Sequence, residues 1–178
     1  MLDLTVNTDI GRMNAITEDE ATLRSYLEAS LRARFNASPC KPNAWYYYGL
    51  YDFALREGRF FTPHATPNNI NCGGPDAFHN SITIAAQNRL LYVEGYAARK
   101  NCSLALHAWN SDDDGYVVDT TWHPIGVAYF GVIIPASLVY TAKDEDGELG
   151  SVIDNWRQSW PLLRRRWSTT LRNPQCEP

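Results

Sequence analysis

His107 and Asp119 are the residues of this chain whose types and spacing most directly suggest catalysis. They lie in two β-rich runs, residues 103–110 and 116–122, which flank an Asp/Gly turn and therefore predict a hairpin. If the turn is centred on Asp113, His107 lies opposite Asp119, with Cβ atoms roughly 4.5–5.5 Å apart. At that spacing a carboxylate can accept the imidazole N–H and fix its tautomer, as in a nucleophilic triad. An ordinary surface pair has the same spacing, so the prediction depends on a nucleophile.

The nucleophile that pairs best with a histidine is a thiol at a helix N-terminus, because the helix dipole and a neighbouring imidazolium both favour the thiolate. A helix is predicted to begin near Pro75 or Asp76, since proline suits the first helical position and aspartate suits a cap. Cys72 is the nearest cysteine, yet it lies in the loop before this helix and not on its first turn. Cys72 is therefore a candidate nucleophile in an unfavourable position.

The elements that must position these residues follow α+β order, with helices first and an antiparallel sheet after them. Helices are predicted over residues 18–36, 43–57 and 75–89. The first follows a capping box at Thr17 and Glu20 and carries an apolar stripe of Leu23, Leu27, Leu31 and Phe35. Strands are predicted over residues 90–98, 103–110, 116–122 and 127–134. One face of the C-terminal segment should dock on the sheet or a helix through Val152, Trp156, Trp160, Leu163 and Trp167.

Composition limits the class of protein. The 178 residues fit one domain spanning 1–178, and a hydrophobic content of 44% supports a packed core. The net charge of −4 argues against nucleic acid as a partner, because phosphate binding needs clustered Lys and Arg. The acidic N-terminus is no export signal, and the longest apolar stretch, residues 127–142, is too short to span a bilayer. We therefore expect a cytoplasmic protein without membrane contact.

The predictions about disulfides and metal binding rest on the four cysteines. Without an export signal the default state is a free thiol, which we expect for Cys40, Cys72, Cys102 and Cys176. None of the four lies in a C-x-x-C pair, so neither a metal nor another cofactor is predicted.

Four short motifs in the predicted sheet together resemble small bacterial and phage proteins of the transglutaminase-like, papain-like cysteine enzyme superfamily. The motifs are Tyr92-Val-Glu-Gly-Tyr-Ala97, His107-Ala-Trp109, Val118-Asp119-Thr-Thr-Trp122 and Ala128-Tyr-Phe-Gly-Val132, and the resemblance covers roughly residues 70–135. In such proteins the preceding helix opens with Cys-Phe-x-Asn-Ser or Cys-Phe-x-Asn-Ala. The matching stretch here is Ala77-Phe78-His79-Asn80-Ser81, so alanine occupies the nucleophile position. The compartment would be the cytoplasm of a bacterium, or of the host cell if a phage encodes the chain.

The resemblance implies a papain-like α+β fold, with N-terminal helices packed on a C-terminal antiparallel sheet, and thiol-dependent acyl transfer. A cysteine at position 77 would attack a carbonyl, His107 would pass the thiol proton to the leaving amine, and Asp119 would orient His107. The partner would be a peptide or protein carrying an amide or carboxamide. Water as acceptor gives a protease or amidase, and an amine gives a transglutaminase.

Alanine at position 77 leaves three interpretations open. Either the catalytic cysteine has been replaced, which gives an inactive variant, or the chain is a natural pseudoenzyme that binds a peptide or host protein in the same cleft. The third is that Cys72 is the true nucleophile.

Supporting roles follow from the same comparison. The N–H of residue 77 and the side-chain amide of Asn71, six residues earlier, are candidate oxyanion donors. Trp109 shares a face with His107 by strand parity, so it either shields the imidazole or belongs to the core.

Two further polar residues allow two interpretations each. Glu94 is either a buried polar partner near the site or the solvent face of an edge strand. His79 is either a second base or a helix-surface residue, and the surface is favoured because it lies two positions from Ala77. A metal site built from Cys72, His79 and His107 is a weaker alternative.

Overall fold

Helices and an antiparallel sheet form an α+β fold in the computed structural model, which describes residues 16–65, 76–101, 103–140 and 150–167. The helices are α1 Glu18–Ala37, α2 Leu50–Glu57, α3 Ala77–Asn88 and α4 Ala136–Val139. The strands are β1 Arg59–Phe61, β2 Leu91–Ala98, β3 Leu104–Ser111, β4 Val117–Val118 and β5 Ala128–Ile133. A short 3₁₀ helix, Pro161–Arg164, lies near the end of the described chain. The predicted α+β class is confirmed.

The first helix begins as its sequence predicts. The Thr17 hydroxyl accepts a hydrogen bond from the Glu20 amide at 3.2 Å, and the Glu20 carboxylate accepts one from the Thr17 amide at 2.9 Å. Leu23 and Leu27 are fully buried, but Phe35 is 40% exposed. The buried stripe of α1 is therefore shorter than predicted, because only the first half of the helix lies on the core.

The second predicted helix, residues 43–57, is wrong in its first half, since α2 spans only Leu50–Glu57. The backbone amides of Tyr46 and Tyr47 both donate to the carbonyl oxygen of Leu163, at 2.7 and 3.1 Å. These long-range bonds take the place of helical ones, because a buried amide needs one partner and the C-terminal segment supplies it.

The sheet has the strand order β1-β5-β2-β3-β4, and all neighbouring strands are antiparallel. One prediction about it is wrong, and one strand lies outside the predicted set. The third predicted strand, residues 116–122, contracts to Val117–Val118, and β1 was not predicted. The sheet also curls until its two edges meet, because Thr62 and Tyr116 form a parallel bridge. In that bridge the amide of Val117 donates to the Thr62 carbonyl at 2.8 Å.

The two faces of the curled sheet carry different cores. The inner face buries a largely aromatic cluster of Phe61, Val93, Ala97, Trp109, Val117, Trp122 and Tyr129. The helices pack on the outer face, where α3 contacts β2 and β3 and α1 contacts β2 and β5. Alternation along β3 therefore sends His107 inward and Ala108 outward.

The C-terminal segment docks on the core as predicted, but not through a single helical face. Val152 and Leu163 are 2% and 1% exposed, whereas Trp156 is 62% exposed. Turns and the 3₁₀ helix replace a continuous helix there, so helical spacing does not assign the buried residues.

Candidate active site

His107 lies on the inner face of β3, opposite Gly95 of β2, which in turn lies opposite Gly131 of β5. Its side chain is only 3% exposed. The imidazole stacks on the indole of Trp122, with ring centroids 4.1 Å apart and planes inclined by 19°. The ring is therefore held in one orientation by packing.

Asp119 directly follows β4, and the predicted contact with His107 is confirmed, with Nε2 and Oδ2 2.8 Å apart. The predicted register is wrong, because the ladder pairs Asn110 with Val118 and then ends. The turn is centred one residue later than Asp113, which shifts the pairing by two residues. A two-residue shift keeps every side chain on its original face, so Asp119 still faces His107.

The carboxylate of Asp119 accepts four hydrogen bonds. The amides of Thr121 and Trp122 donate to Oδ1 at 2.9 and 3.1 Å. Oδ2 lies 2.8 Å from His107 Nε2 and 2.7 Å from the Tyr129 hydroxyl oxygen. The two amides and the phenol donate whatever the tautomer of His107, and three such donors on two oxygens favour the ionised carboxylate.

The same network fixes the imidazole tautomer. The Tyr129 hydroxyl oxygen accepts the Gly126 amide at 2.8 Å, so its own hydrogen is directed at Asp119. Because Asp119 is ionised, the proton shared with His107 belongs to Nε2. In the neutral ring Nδ1 then carries a lone pair and can accept a proton.

The pKa values of Asp119 and Tyr129 reflect these hydrogen bonds. Burial by itself raises the pKa of Asp119, but the hydrogen bond and charge of His107, with the Tyr129 and Thr121 donors, bring the Asp119 pKa below its ordinary value. Burial and the neighbouring Asp119 carboxylate raise the pKa of the Tyr129 phenol far above its usual range. Both shifts favour a charged Asp119 beside a neutral Tyr129.

Position 77 is the first residue of α3, as predicted, and Ala77 is 8% exposed. Asp76 caps the helix by accepting the amides of Phe78 and His79 at 3.0 and 3.1 Å. Neither cap bond uses the N–H of Ala77, which keeps it as an oxyanion-donor candidate. Ala77 packs in the outer-face core, whereas the His107 ring contacts the inner-face aromatics Trp122 and Tyr129. The approach of residue 77 to His107 is a prediction that this placement does not itself support.

Two side-chain bonds connect the start of α3 to the site. Asn80 Nδ2 donates to the Thr121 hydroxyl at 3.0 Å, one residue before Trp122 and two after Asp119. Asn110 Nδ2 donates to the carbonyl of Ser81 at 2.8 Å. The Asn-Ser pair of the helix-opening motif thus holds α3 against β3 and against the loop that carries Asp119.

Trp109 belongs to the inner core, where it is fully buried and lies 6.4 Å from His107 between ring centroids. A Cβ on Gly131 would lie 2.6 Å from Trp109 Cη2. The glycine of the Ala-Tyr-Phe-Gly-Val motif therefore makes room for the indole.

Glu94 is fully buried on the outer face of β2, which contradicts the solvent-face alternative. Its carboxylate accepts hydrogen bonds from Tyr92 at 2.7 Å and from the Ser151 hydroxyl and Val152 amide, both also at 2.7 Å. Burial raises the Glu94 pKa against the lowering effect of these donors. Glu94 anchors the C-terminal segment and lies on the other face of the sheet from His107.

The remaining candidates are settled in part. His79 is exposed on α3, which agrees with the helix-surface interpretation. Asn71 and Cys72 lie outside the described residues. Within the described ranges no group of three or more His, Cys, Asp or Glu side chains is arranged to hold a metal ion. Cys40 is a free, exposed thiol.

Sequence reasoning did not assign roles to Tyr129, Trp122 or Arg99. Tyr129 and Trp122 stand inside two of the quoted motifs, which was the available signal. The Arg99 guanidinium lies 4.2 Å from the centroid of the Trp122 indole, a cation–π contact that no local pattern announces.

No protein-family model, curated protein or solved structure matches this chain. In the part of the chain that the structure describes, no helix combines the length and the hydrophobicity needed to cross a bilayer.

Proposed function

We propose that this chain has the scaffold of a thiol-dependent acyl-transfer enzyme of the papain-like, transglutaminase-like type, with position 77 as the nucleophile position. The observation that carries the proposal is the buried dyad of His107 and Asp119, whose Nε2–Oδ2 distance is 2.8 Å. The dyad leaves Nδ1 as the nitrogen available for proton transfer. A buried, fully bonded carboxylate behind an imidazole is what a general base requires.

The chemistry would proceed in two transfers when position 77 is a cysteine. His107 Nδ1 takes the thiol proton, and the sulfur bonds to the carbonyl carbon of an amide or carboxamide. The carbon–nitrogen bond then breaks, and the leaving amine receives the proton from His107. Water or a second amine next attacks the thioester, which gives hydrolysis or transamidation and frees the thiol.

Alanine at position 77 lacks the attacking sulfur and leaves the dyad of His107 and Asp119 intact. In this chain the site therefore binds an amide-bearing peptide or protein without turning it over. Because alanine cannot act as a nucleophile, Ala77 is also the observation that favours a second candidate function. In that case the chain is a non-catalytic module that binds a peptide or host protein in the same cleft. The two candidates differ in whether a thiol at position 77 suffices for acyl transfer.

Acylation of Ala77→Cys with p-nitrophenyl acetate tests the proposal. The expected result is an acetyl group on the peptide that contains residue 77, formed with a burst of p-nitrophenol and lost on standing. Ala77→Cys combined with His107→Ala should lose the burst, and Cys72→Ser in the Ala77→Cys chain should keep it. Acetylation of Cys72 alone would assign the nucleophile to Cys72, and no burst from any variant would favour the binding module.

A further inference from the structure

We infer that Tyr129 is a positioning residue of the dyad, whose phenol hydrogen bond fixes the Asp119 carboxylate and limits the charge that Asp119 presents to His107. The inference deepens the proposed function and rests on it for the role of the dyad. The coupling of Tyr129 to the imidazole through Asp119 does not involve residue 77, so it can be measured in the chain with Ala77.

The coupling follows from a shared acceptor. The Tyr129 hydroxyl and His107 Nε2 both bond to Oδ2 of Asp119, at 2.7 and 2.8 Å. Tyr129 and Asp119 are fully buried, so water does not screen the pair. Two donors on one oxygen divide its negative charge, because each bond polarises the acceptor against the other.

The Tyr129 hydroxyl is held in place from two directions. Its oxygen accepts the Gly126 amide at 2.8 Å, and the phenol ring packs edge-on against Trp109 with centroids 5.1 Å apart. Tyr129 also lies on β5, between β1 and β2 in the sheet. A rigid donor of this kind keeps the carboxylate in the orientation that His107 needs.

The sign of the effect follows from the charges that face the ring. Among the described residues these are Asp119 and, on the indole of Trp122, Arg99. Without the phenol, Oδ2 would present more negative charge to His107 and favour the imidazolium. A more acidic phenol would be a stronger donor and would favour the neutral imidazole.

NMR titration of the His107 ring, in the chain with Ala77, measures the coupling. Tyr129→Phe should raise the midpoint of the imidazole titration by about 0.5–1 pH unit. Site-specific replacement of Tyr129 by 3,5-difluorotyrosine keeps the hydroxyl, and hence the Gly126 bond, and should lower the midpoint. This second variant decides the question alone if Tyr129→Phe does not fold.

Tyr92→Phe is the matched control, because Tyr92 also donates to a buried carboxylate, that of Glu94, at 2.7 Å. It should leave the His107 midpoint unchanged. Opposite shifts from the two Tyr129 variants support the positioning role. Shifts of one sign, or shifts no larger than that of Tyr92→Phe, overturn it. The titration requires no thiol, so its outcome is independent of whether position 77 can be acylated.

Discussion

The imidazole of His107 and the indole of Trp122 are stacked, with centroids 4.1 Å apart and planes inclined by 19°. Trp122 is 9% exposed and carries the Arg99 guanidinium 4.2 Å from its ring centroid. The loop after Asp119 therefore does two things: its amides bond the carboxylate, and its tryptophan covers the base.

Trp122→Leu should open the imidazole to solvent, because the flat surface that covers it is lost. In the parent chain the ring is only 3% exposed, so the reagent reaches it slowly. We expect diethyl pyrocarbonate to modify His107 about ten-fold faster in the variant, as measured by mass spectrometry of the modified peptide. Trp156→Leu is the control, because Trp156 is 62% exposed and outside the inner core. Equal rates in the two variants would mean that Trp122 does not shield the base.

Asp119→Asn should destabilise the fold as well as the dyad. Asparagine replaces one carboxylate oxygen by an NH₂ group, which is itself a donor. That NH₂ would face groups that donate hydrogen bonds to Asp119 in the parent chain. We expect a loss of about 2–4 kcal/mol in urea unfolding. Asp113→Asn, in the exposed hairpin turn, should change stability by less than about 0.5 kcal/mol. An Asp119→Asn chain as stable as the parent would contradict the bonding described for this carboxylate.

Asp119 and Glu94 should make opposite contributions to the pH dependence of stability. The pKa of Asp119 is lowered in the folded chain, so its contribution is present above the unfolded pKa of about 3.9 and is lost as pH falls through the folded value. The pKa of Glu94 is raised, so stability declines as pH rises from about 4.3 through the folded Glu94 pKa.

Urea unfolding of Asp119→Asn and Glu94→Gln from about pH 3 to about pH 7 measures the contribution of each carboxylate to stability. The penalty of Asp119→Asn should shrink towards acid pH. The free energy of unfolding of Glu94→Gln, relative to the parent, should increase as pH rises. Slopes of the same sign for the two variants would show that one of the two carboxylates is in the wrong environment.

Gly131→Ala should displace Trp109 and strain the pairing of β5 with β2, because the new Cβ would lie 2.6 Å from both the indole Cη2 and the Glu94 carbonyl oxygen. The expected cost is about 1–3 kcal/mol, with a changed tryptophan emission spectrum. Gly150→Ala is the matched control, since nothing lies within 4 Å of a Cβ there. If both variants unfold at the same urea concentration, the close approach of β5 to Trp109 and to the β2 backbone is not as described.

Local patterns predicted the elements and contacts that local chemistry determines. The Thr17–Glu20 capping box and the start of α3 at Asp76 are each specified within a few residues, and the His107–Asp119 contact within one hairpin. The contact was predicted despite a wrong register, because strand parity survives a two-residue shift.

Predictions failed where distant segments decide the structure. Residues 43–49 have a sequence that suits a helix, but Leu163 takes two of their amides. The position of β5 beside β1 and β2, and hence the bond from Tyr129 to Asp119, depends on sheet order, which short-range spacing does not encode. The sequence therefore marks Tyr129 as a motif residue but does not predict its hydrogen bond to Asp119.

The alkylation rate of a thiol at position 77 tests the central claim most directly. In Ala77→Cys, iodoacetamide at about pH 6–7 should modify residue 77 far faster than Cys72 or the exposed Cys40, because an imidazolium and a helix N-terminus both stabilise the thiolate. Adding His107→Ala should abolish the excess. A thiol at position 77 that reacts no faster than Cys40, or a rate that His107→Ala leaves unchanged, would contradict the assignment of position 77 and His107 to one active site.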